Sequence, residues 1–475
     1  MPKFKKILTV VMIHGALIGC SITDVFKNQS TNTFTQVYQV IGEHQVIGEH
    51  QVIIRAITNT NECPSIAWDS LPAEPLKIRA NPSLVPLRKK SDEVASNFPI
   101  KTCEIIWPKG VLQAKINNQV FTAPKEEVNR ILILADTGCR LKAADNAFQD
   151  CNDAQKWPFE KIVLQAAKMN PDLVVHVGDI HYRESPCPPD QLGCKNSPWG
   201  YGFDTWKADF FDPAKPLLDN KPWVFVRGNH ESCQRAGQGW HRFIDDQSWD
   251  DKKNCNNPQN DQEGNYRSPY AVGLGKSAQI IVFDSANIPS KELKNDDLAF
   301  NLYFKQIELA ERLAKNKSFN IFSNHHPISI VTPSKIKSDN GKFVLSGNAL
   351  STVMEKINAN ALLSSSFNAT LHGHIHVAEA IDYQFPRPVS LISGNGGSAL
   401  EFNGLKEISL SAEQKKEMNI ENIQTFLNFG FATLDRKDKD GLQWLFTEFN
   451  VDGQKVFSCL IASHNGKSSC TKVNN

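Results

Sequence analysis

The stretch from Leu173 to Glu184, LVVHVGDIHYRE, constrains this chain more than any other. Leu173 to Val177 is apolar and rich in β-branched residues, which predicts a buried parallel strand, and Gly178 ends it abruptly. Asp179 follows at the tip. The carboxyl ends of strands in open α/β sheets line a ligand crevice, so this acid is expected to face the crevice with Tyr182 within reach. The pattern recurs four more times. Ile131 to Ala135 runs into Asp136-Thr137-Gly138, and Trp223 to Val226 into Arg227-Gly228-Asn229-His230-Glu231. Phe319 to Ser323 runs into Asn324-His325-His326, and Ala369 to Leu371 into His372-Gly373-His374-Ile375-His376. Between the first two strands, Phe159, Ile162, Val163 and Ala166 fall at helical spacing, which predicts a βαβ unit with a right-handed crossover. Asp136, Asp179, Tyr182, Asn229, His325, His374 and His376 form a mixed oxygen and imidazole donor set suited to zinc, manganese or iron. It is too large for one ion, and two ions sharing a carboxylate is the economical solution.

Taken in order, Asp136-Thr137-Gly138, Gly178-Asp179-Ile180-His181-Tyr182, Gly228-Asn229-His230-Glu231, Asn324-His325 and Gly373-His374-Ile375-His376 resemble the five blocks of the calcineurin-like metallophosphoesterases. Tyr182 makes the chain most similar to the purple acid phosphatase branch. The resemblance spans about Ile131 to Gly397. It implies an α/β fold, a β-sandwich of two mixed sheets flanked by helices around a βαβαβ metal-binding motif. It also implies that Asp136, Tyr182 and His376 hold an Fe(III) ion, that Asp179 bridges, and that Asn229, His325 and His374 hold a divalent zinc, iron or manganese. The implied activity is hydrolysis of a small phosphorylated substrate, a phosphate monoester, by in-line attack of a metal-bound hydroxide. His230 would bind the phosphate or protonate the leaving oxygen, and Glu231 would hold the His230 ring. His326 stands where mammalian-type members have Tyr, and reads as either a substrate contact or a packing residue, while Phe322 replaces a Val of the family pattern. His181 and His372 read as orienting partners, and His241 as a surface residue. The same metal core also serves phosphodiesterases and nucleotidases, with specificity set by loops, here Cys187 to Trp206 and Cys233 to Tyr270. A non-catalytic binding lipoprotein is the remaining alternative, and the intact ligand blocks argue against it.

The N-terminus carries a different kind of information. Lys3, Lys5 and Lys6 precede an apolar run from Ile7 to Ile18, the pattern of an export signal, and Leu17-Ile18-Gly19-Cys20 resembles the bacterial lipobox. Cleavage before Cys20 would anchor the protein to a membrane through an N-terminal lipid. Ser21 in the next position, where retained lipoproteins have Asp, points to the outer membrane, periplasmic or surface-facing. The ten remaining cysteines fit an oxidising compartment. Short loops favour pairing Cys139 with Cys151, Cys187 with Cys194, Cys233 with Cys255 and Cys459 with Cys470, leaving Cys63 with Cys103, although sequence does not fix connectivity.

With 475 residues there is room for two or three domains. The reading is a signal peptide at 1–20, a tether at 21–51 that includes the duplicated hexapeptide QVIGEH, a small β domain at 52–128 and the catalytic domain at 129–475. A net charge of +1, with no basic stripe, argues against nucleic acid as a specific ligand. Val389 to Gly397, VSLISGNGG, reads as a strand and a tight glycine turn beside the site, since it lacks the spacing of a phosphate-binding loop. Segments from Phe429 to Ile461 read as closing strands of a second sheet.

Overall fold

Two parallel strands, each followed by an acid, form the centre of the molecule. The computed structural model describes residues 33–43, 50–87, 94–289, 291–335, 342–384, 386–402, 404–462 and 469–472. The expected signal peptide, Cys20 and most of the tether lie outside the described residues. The main strands in chain order are β1 (Thr35–Glu43), β2 (His50–Thr58), β3 (Lys77–Ala80), β4 (Lys101–Ile106), β5 (Arg130–Leu134), β6 (Leu173–His176), β7 (Pro222–Phe225), β8 (Tyr270–Gly273) and β9 (Ala278–Val282). They continue as β10 (Phe319–Ser323), β11 (Ala369–His372), β12 (Ala378–Tyr383), β13 (Val389–Ser393), β14 (Ile420–Phe426), β15 (Gly430–Arg436), β16 (Gln443–Asn450), β17 (Lys455–Ala462) and β18 (Ser469–Lys472).

These strands build two mixed sheets. The eleven-stranded sheet has the order β18-β17-β16-β15-β5-β6-β7-β1-β2-β4-β3, and the seven-stranded sheet β8-β9-β10-β11-β13-β12-β14. β5, β6 and β7 run parallel, as do β9, β10, β11 and β13. Their sequences are near-continuous apolar runs because both faces are covered. Between the sheets lies a core that includes Ile131, Ile133, Val175, Val224, Ile280, Ile321 and Leu391. Helices cover the outer faces. Helix α1 (Phe159–Lys168) buries Phe159, Ile162, Val163 and Ala166, the residues whose spacing predicted it. Helices α2 (Leu298–Ala314) and α3 (Ala349–Asn358) pack on the second sheet through Tyr303, Ile307, Val353 and Met354.

The N-terminal β region is present, but it is not partitioned as the sequence suggested. Thr35 to Glu43, expected within the tether, is a buried strand that pairs in parallel with β7, Val40 opposite Trp223. Its polar side chains are satisfied internally: the Gln36 amide donates to Asp219 at 2.7 Å and the Gln39 amide to the Thr122 carbonyl at 2.9 Å. β2, β4 and β3 extend the same sheet, so the boundary drawn between Gln51 and Val52 falls inside a strand, and residues from Phe34 onward form one compact unit. A separate four-stranded sheet is built from Gln119–Thr122, Gln113–Ile116, Ser65–Trp68 and Glu74–Pro75. The closing strands β15 to β18 extend the first sheet beside β5 and do not complete the second.

All five disulfides join the expected neighbours, Cys63–Cys103, Cys139–Cys151, Cys187–Cys194, Cys233–Cys255 and Cys459–Cys470. Among the described residues no helix is long and apolar enough to cross a membrane.

Candidate metal centre

The loops leaving β5, β6, β7, β10 and β11 converge at one edge of the two sheets. Asp136, Asp179 and His374 all sit at positive φ, 54°, 56° and 72°. Such a conformation costs an L-residue on the order of 1 kcal/mol, and here it turns each side chain back over the strand ends. Close packing enforces the arrangement. A Cβ on Gly178, itself at φ 90°, would lie 2.5 Å from His325 Nδ1, and one on Gly228 would lie 2.2 Å from the Asp179 amide nitrogen.

Tyr182 stands at the middle of the first cluster. Its hydroxyl lies 2.9 Å from Asp136 Oδ1, 2.8 Å from Asp179 Oδ2 and 2.8 Å from His376 Nε2. The ring is 1% exposed. Burial, reinforced by the two carboxylates, pushes the phenol well above its ordinary range. A cation among these oxygens would reverse that sign, because it favours the phenolate. His376 Nδ1 lies 2.5 Å from the Ala399 carbonyl. Donating there leaves the Nε2 lone pair directed at the cluster.

The second cluster joins the first through Asp179. His325 Nε2 lies 3.1 Å from Asp179 Oδ2, and His374 Nδ1 lies 3.0 Å from Asn229 Oδ1. Ligand atoms of Asp179, His325 and His374 all fall within 4.8 Å of one another. His325 Nδ1 is directed at the Val177 carbonyl at 2.8 Å, and its buried Nε2 faces Asp179 Oδ2. With protein groups alone, burial disfavours a charge on this ring, yet Asp179 holds its pKa up to about 9. Asp179 is correspondingly held well below the usual carboxylate range against the effect of its own burial. Burial drives His374 the other way, to about 3, the neutral form a ligand needs. A histidine nitrogen facing a carboxylate oxygen, beside a neutral imidazole and an amide oxygen, fits a divalent cation that would take the place of the proton now shared between His325 and Asp179.

Two sequence-derived roles change. Glu231 does not hold the His230 ring. The residues Asn229 to Glu231 form a 3₁₀ turn that curls its carboxylate backward, where it accepts N–H bonds from Asp179, Ile180, His181 and Gly228 at 2.8–3.1 Å. It fixes the backbone of the bridging loop. The His230 ring is held instead by Glu184, whose Oε1 lies 2.7 Å from Nδ1. Arg235 Nη2 lies 2.6 Å from each ring nitrogen, which sets the guanidinium across the ring, and Arg235 also bonds Glu184. His241, expected at the surface, is buried against Asp245 and the Gly264 carbonyl at 3.2 Å. It lies near Cys233 and Cys255, but these are joined in a disulfide and offer no thiolate.

His326 is buried beside the second cluster, its ring 4.2 Å from that of His374 and its Nδ1 3.1 Å from Ser285 Oγ. His181 and His372 are buried outside the ligand set, bonded to Thr205 and to the Asn324 carbonyl. Asp209 escaped sequence reading altogether. It accepts the amides of Cys139 and Tyr182 at 3.0 and 2.9 Å and the Arg183 guanidinium at 2.6 Å, tying the first two metal loops together.

The calcineurin-like phosphoesterase model matches residues 129–378, just over half of the chain and all five ligand loops. The chain belongs to the calcineurin-like phosphoesterase family. Membership makes it a metal-dependent phosphoric ester hydrolase and implies a dinuclear centre. No curated protein matches it. Among solved structures, it is similar to the purple acid phosphatase PPD1 from yellow lupin (Lupinus luteus) seeds at 13% identity and a TM-score of 0.55, over 90% of this chain and 74% of that one. It is also similar to PhoD at 10% identity and a TM-score of 0.54, over 94% of each chain. At these identities the likeness shows the shared fold.

Proposed function

We propose that the protein is an exported, lipid-anchored phosphatase acting on phosphate monoesters through a two-metal centre. Asp136, Tyr182 and His376 would hold a ferric ion, Asn229, His325 and His374 a divalent zinc, iron or manganese, with Asp179 shared between them. The observation that carries this reading is the Tyr182 hydroxyl, buried within 2.9 Å of three other donor atoms of the set. The pair of ions would supply water activation at near-neutral pH and neutralise charge developing on the phosphoryl group.

The protein's own groups do the rest. Glu184 holds His230 Nδ1, and Nε2, 3.8 Å from Asp179 Oδ2 and 2.6 Å from Arg235 Nη2, is the nitrogen nearer the metal cluster, placed to meet a phosphoryl or leaving-group oxygen together with Arg235. His230 donates a proton there as the ester bond breaks. Glu231 keeps the bridging loop rigid, and His326 lines the pocket beside His374. Export and the Cys20 anchor rest on the N-terminal sequence alone, whose lipobox-like Leu17-Ile18-Gly19-Cys20 and following Ser21 support a bacterial outer-membrane location.

Hydrolysis of p-nitrophenyl phosphate beside bis-p-nitrophenyl phosphate, on a soluble fragment starting after Cys20, tests the substrate class. Faster monoester cleavage is expected, and diester preference would replace this reading with a phosphodiesterase or nucleotidase. Iron with a visible tyrosinate band, lost in Tyr182→Phe, is the expected metal signature. His230→Ala should lower kcat by about 10²–10⁴-fold with metal content preserved; loss of the metals along with activity would overturn the division between ligands and proton donor.

A further inference from the structure

Glu448 is an acid with no place in the mechanism. It lies on β16, fully buried in the first sheet, and it reaches into the turn that follows β13 of the second. Its Oε1 accepts the Asn395 amide at 2.8 Å, and the same amide nitrogen donates to the Asn428 carbonyl at 2.9 Å. Burial keeps the carboxyl well above the ordinary range against the opposing hydrogen bond from Asn395. The contact needs a gap in the intervening strand. A Cβ on Gly430 would lie 2.8 Å from Glu448 Oε1 and 2.9 Å from Asn395 Nδ2.

Asn395 sits inside Gly394-Asn395-Gly396-Gly397, and this turn grips the first ligand cluster from behind. The Gly396 amide donates to the Ala135 carbonyl at 3.1 Å and the Ser398 amide to the Asp136 carbonyl at 2.8 Å. The Gly394 amide donates to Val377, next to His376, and a Cβ on Gly394 would lie 2.9 Å from Asp136 Oδ2. Ala399, just past the turn, supplies the carbonyl that orients the His376 ring. One polar contact between the sheets therefore stands behind two of the three donors.

We infer that Glu448 is a positioning residue for the first metal: through Asn395 it presses the glycine turn onto Asp136 and His376 and sets their spacing. The inference rests on the metal-centre reading above, and its test reads metal binding without turnover. Zinc dissociation constants of the metal-free full-length protein are measured by chelator competition, together with its thermal midpoint before zinc is added. Glu448→Gln, which keeps the acceptor oxygen, should bind zinc within about twofold of the parent. Glu448→Leu, apolar and of similar size, should weaken one of the two zinc sites by about tenfold or more, the scale of losing a partner that orients a ligand. Asn395→Ser should reproduce that loss, and the double variant should add nothing to it. It also decides the matter alone if Glu448→Leu does not fold. A folded Glu448→Leu or Asn395→Ser protein that binds zinc like the parent would overturn the inference, as would a Gln variant as damaged as the Leu one. If the parent itself binds no zinc, the metal-centre reading fails first.

Discussion

Buried acids occur in two regions of this molecule, and they differ in the company they keep. In the crevice, Asp179 is 1% exposed, and attraction to its neighbours, His325 above all, outweighs burial and keeps it ionised. Between and behind the sheets, Glu379 and Glu448 are buried just as deeply, with backbone and amide partners and no cation counted among them. Burial pushes Glu379 up to about 8. Equal burial thus leaves one group charged and built to face cations, and the other neutral and built to accept hydrogen bonds.

Exchanging acid for amide should therefore have opposite consequences in the two regions. The largest effect is expected for Asp179→Asn. It removes the shared charge, and activity should fall by more than about 10³-fold with loss of bound metal, measured by turnover and elemental analysis. Full metal content in that variant would break the comparison. Glu184→Gln should act less, by about tenfold to a hundredfold in kcat with metal content and KM unchanged, because it loosens His230 and no ligand. A rise in KM alone would make Glu184 a substrate contact instead. The smallest effect is expected for Glu379→Gln, which should leave activity unchanged and alter only the pH dependence of stability. Between about pH 4.5 and 8 the folded chain keeps a proton on Glu379 that the unfolded chain has released, so stability falls as pH rises across that window. Urea midpoints at pH 5 and pH 8 should differ less in the variant than in the parent, and an unchanged difference would show that Glu379 is not held neutral.

The ligand loops were legible because strand periodicity and an abrupt polar residue at the tip are local signals, and five of them in order leave few alternatives. The partners behind them were not. Glu231 lies beside His230 in sequence, yet the turn points it at the bridging loop, while Glu184 reaches the ring from 46 residues away. Asp209, Arg235 and Glu448 carry no motif, and only the packing of loops on loops brings them to the site. β1 was assigned to the tether because the duplicated QVIGEH reads as linker sequence, and what makes it a strand, β7 beside it and the distant partners of Gln36 and Gln39, lies far along the chain.

The position of β1 also bears on how the molecule assembles. The first described strand occupies the eighth place in an eleven-stranded sheet, and its parallel neighbour β7 begins only at Pro222. The β1–β2 hairpin can form as soon as it is made and can pair with β4 through β2 once Ile106 has been reached, but its β1 edge has no partner until more than 160 residues beyond Thr58 have been synthesised. Pairing of such long range makes folding slow and leaves strand edges exposed in the meantime. A truncation ending before β7 should therefore be recovered as an aggregating chain and not as a folded N-terminal domain.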